Sequence, residues 1–262
     1  MTSLRSERDG LQDTLRRLSR KRSCFLSTPE LHLSTLFVLN TEGRIISTRE
    51  PHGTRGPLFS LVRSTSRCAW AVRHDVPNDI ALALASLAKE ESPSSNLQST
   101  PVHAHQYVSL LRSRLADRDD TKISQYAGPA FVFPDSIIQP DDVEVIEDER
   151  LLDHHFRGWR SGEIKAGRAP VMAIIKDRLP VSICFCARSS DVAAEAGLET
   201  AEAFRGRGFG TRVTAAWALA IRASGRIPLY STLWTNTASV AVARKLGLKM
   251  YASAWSVCDR YS

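Results

Sequence analysis

The chain has 262 residues, 43% of them hydrophobic and 24% charged, and carries a net charge of +7. This balance excludes a disordered or fibrous protein and allows a core that needs no metal or disulfide staple. No apolar run approaches the roughly 18 residues of a membrane span, and the five cysteines (Cys24, Cys68, Cys184, Cys186, Cys258) are odd in number and scattered, without the spacing of a zinc site or a disulfide framework.

Residues 1–22 mix Arg5, Arg8, Arg16, Arg17 and Arg20 with Glu7, Asp9 and Asp13, and no apolar core or small-residue cleavage site follows, so no secretory leader is expected. The expected compartment is a reducing cytoplasm. Leu4, Leu11, Leu15 and Leu18 fall near helical spacing, and Arg16, Arg17, Arg20, Lys21 and Arg22 make the one dense basic cluster. With no aromatic residue beside it, the cluster reads as a solvated helix face, and no nucleic-acid partner is expected. The remaining charge is diffuse: the excess is +4 up to residue 140 and +3 beyond it.

Four strand-like runs follow, at Thr35–Leu39, Arg44–Thr48, Leu58–Ser64 and Cys68–Arg73, separated by turn residues. Pro77 and Asn78 open a helix through Ile80, Leu82, Leu84 and Leu87, a Ser- and Pro-rich linker spans Glu91–Pro101, and a second helix covers about His105–Leu115. Beyond the strand-like run Gly128–Phe133, six acids fall within Asp141–Glu149, and a domain boundary is placed at residue 140. Residues 1–140 then form a smaller α+β domain and residues 141–262 an α/β domain with a mixed sheet.

The second part alternates strands and helices. Val143–Ile146 reads as a strand, Arg150–Lys165 as one or two helices, and Pro170–Lys176 and Val181–Ala187 as a hairpin turning at Asp177–Leu179. A strand at Ala193–Thr200 leads through a glycine-rich loop into a helix, Gly208–Ala223. Next come a strand at Ile227–Leu233, a helix from Thr237 to Leu246, and a strand pair within Lys249–Asp259. Cys184 and Cys186 project to one face of their strand as small core residues, and Trp217 faces the sheet. His154, His155, His103 and His105 have no third ligand at metal spacing and read as surface residues, so no metal site is expected.

The loop Arg205-Gly206-Arg207-Gly208-Phe209-Gly210 carries the chemistry. Between a strand and a helix, its backbone N–H groups meet the positive end of the helix dipole, which is an anion site. Glycines let a phosphate approach the backbone, and Arg205 and Arg207 add charge-assisted bonds. The spacing is neither that of a dinucleotide-binding fingerprint nor that of a P-loop.

This loop resembles the R/Q-x-x-G-x-G/A acyl-CoA signature of the GNAT superfamily of N-acetyltransferases. The segment Asn236-Thr-Ala-Ser239, leading a helix that ends Lys245-Leu246-Gly247-Leu248, is similar to that family's second motif, and Gly225–Asn236 resembles larger bacterial members with an extra N-terminal domain. The resemblance implies a mixed sheet splayed between its fourth and fifth strands, and direct transfer of an acetyl group from acetyl-CoA to a primary amine in a ternary complex. It places Leu198, Glu199 and Thr200 beside the pantetheine, with an N–H near Leu198 for the oxyanion. Gly206, Arg207, Gly208, Phe209, Gly210 and Thr211, with Arg205, hold the pyrophosphate, and Asn236 faces the cofactor.

The family's usual base positions hold Ala194 and Ala196, and its usual acidic Tyr is Ala243. Glu199, next to the expected thioester, is the preferred base over Glu195, which only a bulge near Gly197 would turn inward. Ser239, Tyr230, Tyr251 or solvent is left to reprotonate the thiolate. The inert alanines also allow a catalytically silent acyl-CoA-binding or regulatory module. Residues 1–140 are expected to form a wall of the acceptor site or an oligomer interface, with a homodimer as one form of the latter.

Overall fold

The computed structural model describes residues 28–115 and 123–259, and the basic cluster and leucine-bearing segment of residues 4–22 lie outside them. Thr28 starts the first helix as its N-cap, its hydroxyl accepting from the Leu31 N–H (3.1 Å), and Pro29 takes the first turn, where its missing N–H costs nothing. Helix α1 (Pro29–Leu36) thereby absorbs the start of the run read as a strand from Thr35, leaving β1 (Phe37–Leu39), which pairs with β2 (Ile45–Thr48). Then come β3 (Phe59–Ser64), β4 (Cys68–Val72), α2 (Asn78–Glu90), α3 (Ala104–Leu115) and β5 (Ser124–Val132), close to the sequence-based expectation.

The second part runs β6 (Glu144–Val145), β7 (Met172–Lys176), β8 (Leu179–Ser189), β9 (Ala193–Thr200), α4 (Phe209–Ala223), β10 (Ile227–Ser231), α5 (Thr237–Lys245) and β11 (Lys249–Cys258). Two expectations need correction. Residues 150–165 are not α-helical: a 3-10 turn at Glu149–Leu152 and a π turn at Ile164–Arg168 stand there, and Gly162 and Gly167 at φ 91° and 129° break any continuous helix. The run 249–259 is one ten-residue strand rather than a pair. The β7–β8 hairpin does turn where expected: Asp177 and Arg178, both at positive φ (49° and 66°), give the twist that a two-residue connection between Lys176 and Leu179 requires.

Nine strands form one mixed sheet in the order β4-β3-β11-β5-β10-β9-β8-β7-β6, with β9–β10 the parallel pair among the described strands. The sheet therefore continues across residue 140: β3, β4 and β5 extend the strands of the second part, and β11 lies between β3 and β5. Both faces are covered. On one, α4 and α5 pack Val213, Trp217 and Ile221 against Cys184, Cys186, Ala194 and Ala196, while α2 and α3 cover Phe59, Leu61 and Trp255. On the other, α1 seats Leu33 and Leu36 on Val62, Ala71 and Ala252, and the turns of residues 149–168 seat Leu152 and Phe156 on Ile183 and Phe185. Burial on both sides explains why β8 is apolar without alternation from Ile183 to Ala187.

Candidate active site

Strands β9 and β10 pair only over their first residues, Ala193 with Ile227, Ala194 with Pro228 and Glu195 with Leu229. Beyond that point β10 holds to β5 through Ser231, whereas β9 stays with β8 through Thr200. From Ala196 to Thr200 the β9 edge facing β10 thus has no strand partner, and its backbone groups must be satisfied by something else.

A cavity of about 760 Å³ opens along this edge, at the N-terminal end of α4. Leu198, Glu199 and Thr200 form one wall, Arg205, Gly206, Gly208, Phe209, Gly210 and Thr211 the floor, and Asn236 and Ser239 the opposite side. Helix α4 starts at Gly208, whose left-handed φ of 77° closes the turn, and no side chain caps it. Its first amides are therefore available to an anion. Gly210 lets the helix approach the strand: a Cβ there would lie 3.3 Å from Leu198 Cδ2. Arg205 Nε donates to the Thr200 carbonyl (3.2 Å), tying the loop to the strand end.

Arg207 is the expected site residue that the cavity wall does not include. Its guanidinium donates to the Ala203 carbonyl (3.1 Å) and lies over the Phe204 ring. Asn236 Oδ1 accepts from the Ser239 N–H (3.1 Å) as the N-cap of α5, which leaves the carboxamide NH₂ to donate toward the cavity. The Tyr230 hydroxyl donates to the Ser239 carbonyl (3.2 Å). Burial pushes that phenol up to about 12, with the bond to Ser239 opposing, so Tyr230 keeps its proton at neutral pH.

Lys245, His155 and Phe156 also line the cavity and were not expected there. Lys245 had a visible signal: with Ala238, Ala241 and Val242 it falls at the one-face spacing of a helix. His155 is placed by the irregular turn after Leu152, which no periodicity announces. Among the described residues, no group of three or more metal-ligating side chains converges.

The two carboxylates of β9 lie on the face away from α4 and differ sharply. Glu199 sits exposed at the cavity rim, and its carboxyl is raised above the ordinary range by partial desolvation, with Arg168 opposing and Glu163 adding. Glu195 is 4% exposed, accepts from Arg188 Nη1 (3.3 Å) and receives the Ser231 hydroxyl. Arg188 also donates twice to Glu50 Oε1, from Nε (3.0 Å) and Nη2 (2.6 Å). Arg188 reaches Glu195 because β8 gains a residue between Cys186 and Arg188 while β9 advances by one, a bulge on the neighbouring strand. Gly197 instead makes room for Phe185, whose ring a Cβ would meet at 2.5 Å. Ala194, Ala196 and Ala243 are buried in the core.

Residues 144–256 match one family model, described as GNAT acetyltransferase. Among solved structures, the chain is similar to a putative acetyltransferase from the GNAT family of Novosphingobium aromaticivorans, with 14% identity over 53% of this chain and 67% of that one and a TM-score of 0.45. It is also similar to a GCN5-related N-acetyltransferase-like protein from Streptococcus suis (14% identity, 78% and 85% covered, TM-score 0.47) and to an acetyltransferase from the GNAT family of Colwellia psychrerythraea (11%, 83% and 79%, 0.44). No curated protein matches.

Proposed function

With residues 144–256 identified as a GNAT acetyltransferase domain, we propose that the protein transfers an acetyl group from acetyl-CoA directly to a primary amine. The observation that carries this reading is a coincidence of two features in one cavity: the unpartnered β9 edge from Ala196 to Thr200 and the uncapped glycine turn at the start of α4. A diphosphate suits the second and an amide-bearing chain the first, while Arg205 and Lys245 line the same cavity as cations for the phosphates.

Acetyl-CoA supplies an activated thioester carbonyl. The unpaired N–H groups near Leu198 donate to its oxygen as charge develops there. Glu199 receives the proton that an ammonium must shed before attack, directly or through water, and its raised carboxyl suits that task. The nitrogen–carbon bond forms as the carbon–sulfur bond breaks, the nitrogen gives up its extra proton to solvent, and the departing sulfur takes one from the Ser239 hydroxyl at the N-terminal turn of α5, which solvent replenishes. Arg207 acts on the anion only from outside the wall.

Calorimetric titration with acetyl-CoA tests the reading, run beside Gly208→Trp and Lys245→Ala. Saturable binding that Gly208→Trp weakens by at least about tenfold, and Lys245→Ala by several-fold, is the expected result. An unaltered affinity in both variants, with native-like melting, would sink it. A second reading, a silent acyl-CoA-binding module, is favoured by the buried alanines at positions 194, 196 and 243. Thiol release across a panel of primary amines separates the two: binding with no turnover for any member selects the silent module.

A further inference from the structure

A second cavity, of about 750 Å³, opens where the β6 edge of the sheet meets the far end of α4, and it shares no residue with the first. Helix α4 runs for 15 residues, so its two ends stand about 22 Å apart. Ala220 and Ser224 of its last turn form one wall, with Arg226 just beyond. Strand β6 with the turn after it, the π turn and residues 169–171 close the other sides.

The end of α4 fixes Arg226 in this wall. Gly225, at φ 80°, reverses the chain, and the amides of Gly225 and Arg226 donate back to the Arg222 (2.9 Å) and Ile221 (3.2 Å) carbonyls. The Ser224 N–H donates to the Ala220 carbonyl (3.1 Å), so these last-turn acceptors are spent inside the helix end. Arg226 Nε donates to Ser224 Oγ (3.0 Å), and the guanidinium lies against the Cys186 thiol. Burial pushes that thiol up, with Arg226 opposing, so it stays neutral and offsets no charge.

The wall holds three carboxylates, Glu147, Asp148 and Glu149, and three cations, Arg150, Lys165 and Arg226. Asp148 accepts from Arg150 Nε (2.9 Å) and Nη2 (2.7 Å), a closed pair. Glu149 accepts from the Gly162 and Ile164 amides and has Lys165 as its nearby counter-charge. That leaves Glu147, which is exposed, and Arg226, which is half-buried and whose Nη1 and Nη2 donate to no oxygen among the described residues. A guanidinium with such unspent donors favours a planar, two-oxygen anion. Glu147 counts against a second negative charge on the ligand, and so against a phosphate monoester. Ile146, Pro170, Val171 and Ala220 supply apolar surface beside the charged group.

We propose that this cavity is a second ligand site, one for a small organic acid: a monocarboxylate whose head meets the Arg226 guanidinium and whose apolar body lies against Ile146, Pro170, Val171 and Ala220. The assignment does not rest on the transferase reading, because no residue of the first cavity takes part.

Ligand-observed NMR with the full chain tests it, using naphthylacetate, its neutral counterpart naphthylethanol, its cationic counterpart naphthylethylamine, and naphthyl phosphate. Naphthylacetate is expected to bind at least about tenfold more tightly than each of the others. Arg226→Gln should bring it down to the affinity of the alcohol. Ser161→Trp, at an exposed position in the wall, should weaken it at least about fivefold by obstruction. Lys245→Ala, in the first cavity, should leave it unchanged, which separates this site from the cations there. The proposal is overturned by absent binding of naphthylacetate, by equal or tighter binding of any other probe, or by loss of binding in Lys245→Ala. A preference that survives Arg226→Gln also overturns it. Should Arg226→Gln fail to melt as the unaltered protein does, Ser161→Trp decides, and unaltered binding there overturns the proposal.

Discussion

Glu195 and Glu199 stand four residues apart on one strand face, yet neighbours divide their chemistry. Glu195 lies under α1 and is locked by Arg188 and Ser231, whereas Glu199 stands at an open rim with only distant partners. Glu199→Gln is expected to lower kcat by about 100-fold with little change in acetyl-CoA affinity, as removal of a general base does. Because this carboxyl is raised, the unaltered enzyme's rate should climb as pH rises through the raised value and the base ionises, a limb that Glu199→Gln abolishes in a pH–rate profile.

His32 gives a prediction of opposite origin. Its folded-state pKa lies below the ordinary 6.5 because burial disfavours the charged ring, so between that lowered value and 6.5 the unfolded chain binds the extra proton. Stability should therefore fall as pH drops through this window. Melting curves from pH 7 downward should show the decline, and His32→Gln should flatten it. The glycine turn and Asn236 were legible because their chemistry is written in adjacent letters. The Arg188–Glu195 pair was not, since it depends on a bulge that nothing in Cys186-Ala187-Arg188 announces.

Among the elements, the strand–turn–helix run from β9 to α5 could be read almost to its ends because periodicity and turn residues agree. Residues 149–168 misled, since Leu152 and Phe156 keep helical spacing while the glycines at positive φ prevent the helix. The gap between β9 and β10 depends on β5, which draws β10 and its following loop aside. Gly128 of β5 is the close-approach point: a Cβ there would fall 1.7 Å from the Thr232 carbonyl oxygen. Backbone cannot yield as a flexible side chain can. Gly128→Ala is expected to cost about 3 kcal/mol in denaturant unfolding, and to disturb the first cavity, because the displaced loop carries Asn236 into its wall.

Across the whole molecule, the two-part pattern of the sequence folds into a single nine-stranded sheet. Local patterns revealed the strands but not which of them pair, because β3 with β11 and β5 with β10 are joined only by contacts far apart in the chain. A fragment of residues 141–262 would lack β5, which pairs with both β10 and β11, and is expected to fail to fold cooperatively in urea melts followed by circular dichroism. The place of β11 between β3 and β5 has a consequence for how the chain comes off the ribosome. The β3–β4 hairpin and β5 emerge early, yet the strand that joins them is translated after every other strand described here. Until then the nascent chain holds two separate strand edges awaiting the same late partner, with long loops to close before either is rewarded. The sheet is completed only when this last strand arrives, and the exposed edges of β3 and β5 are where a chaperone or an aggregating neighbour would act first.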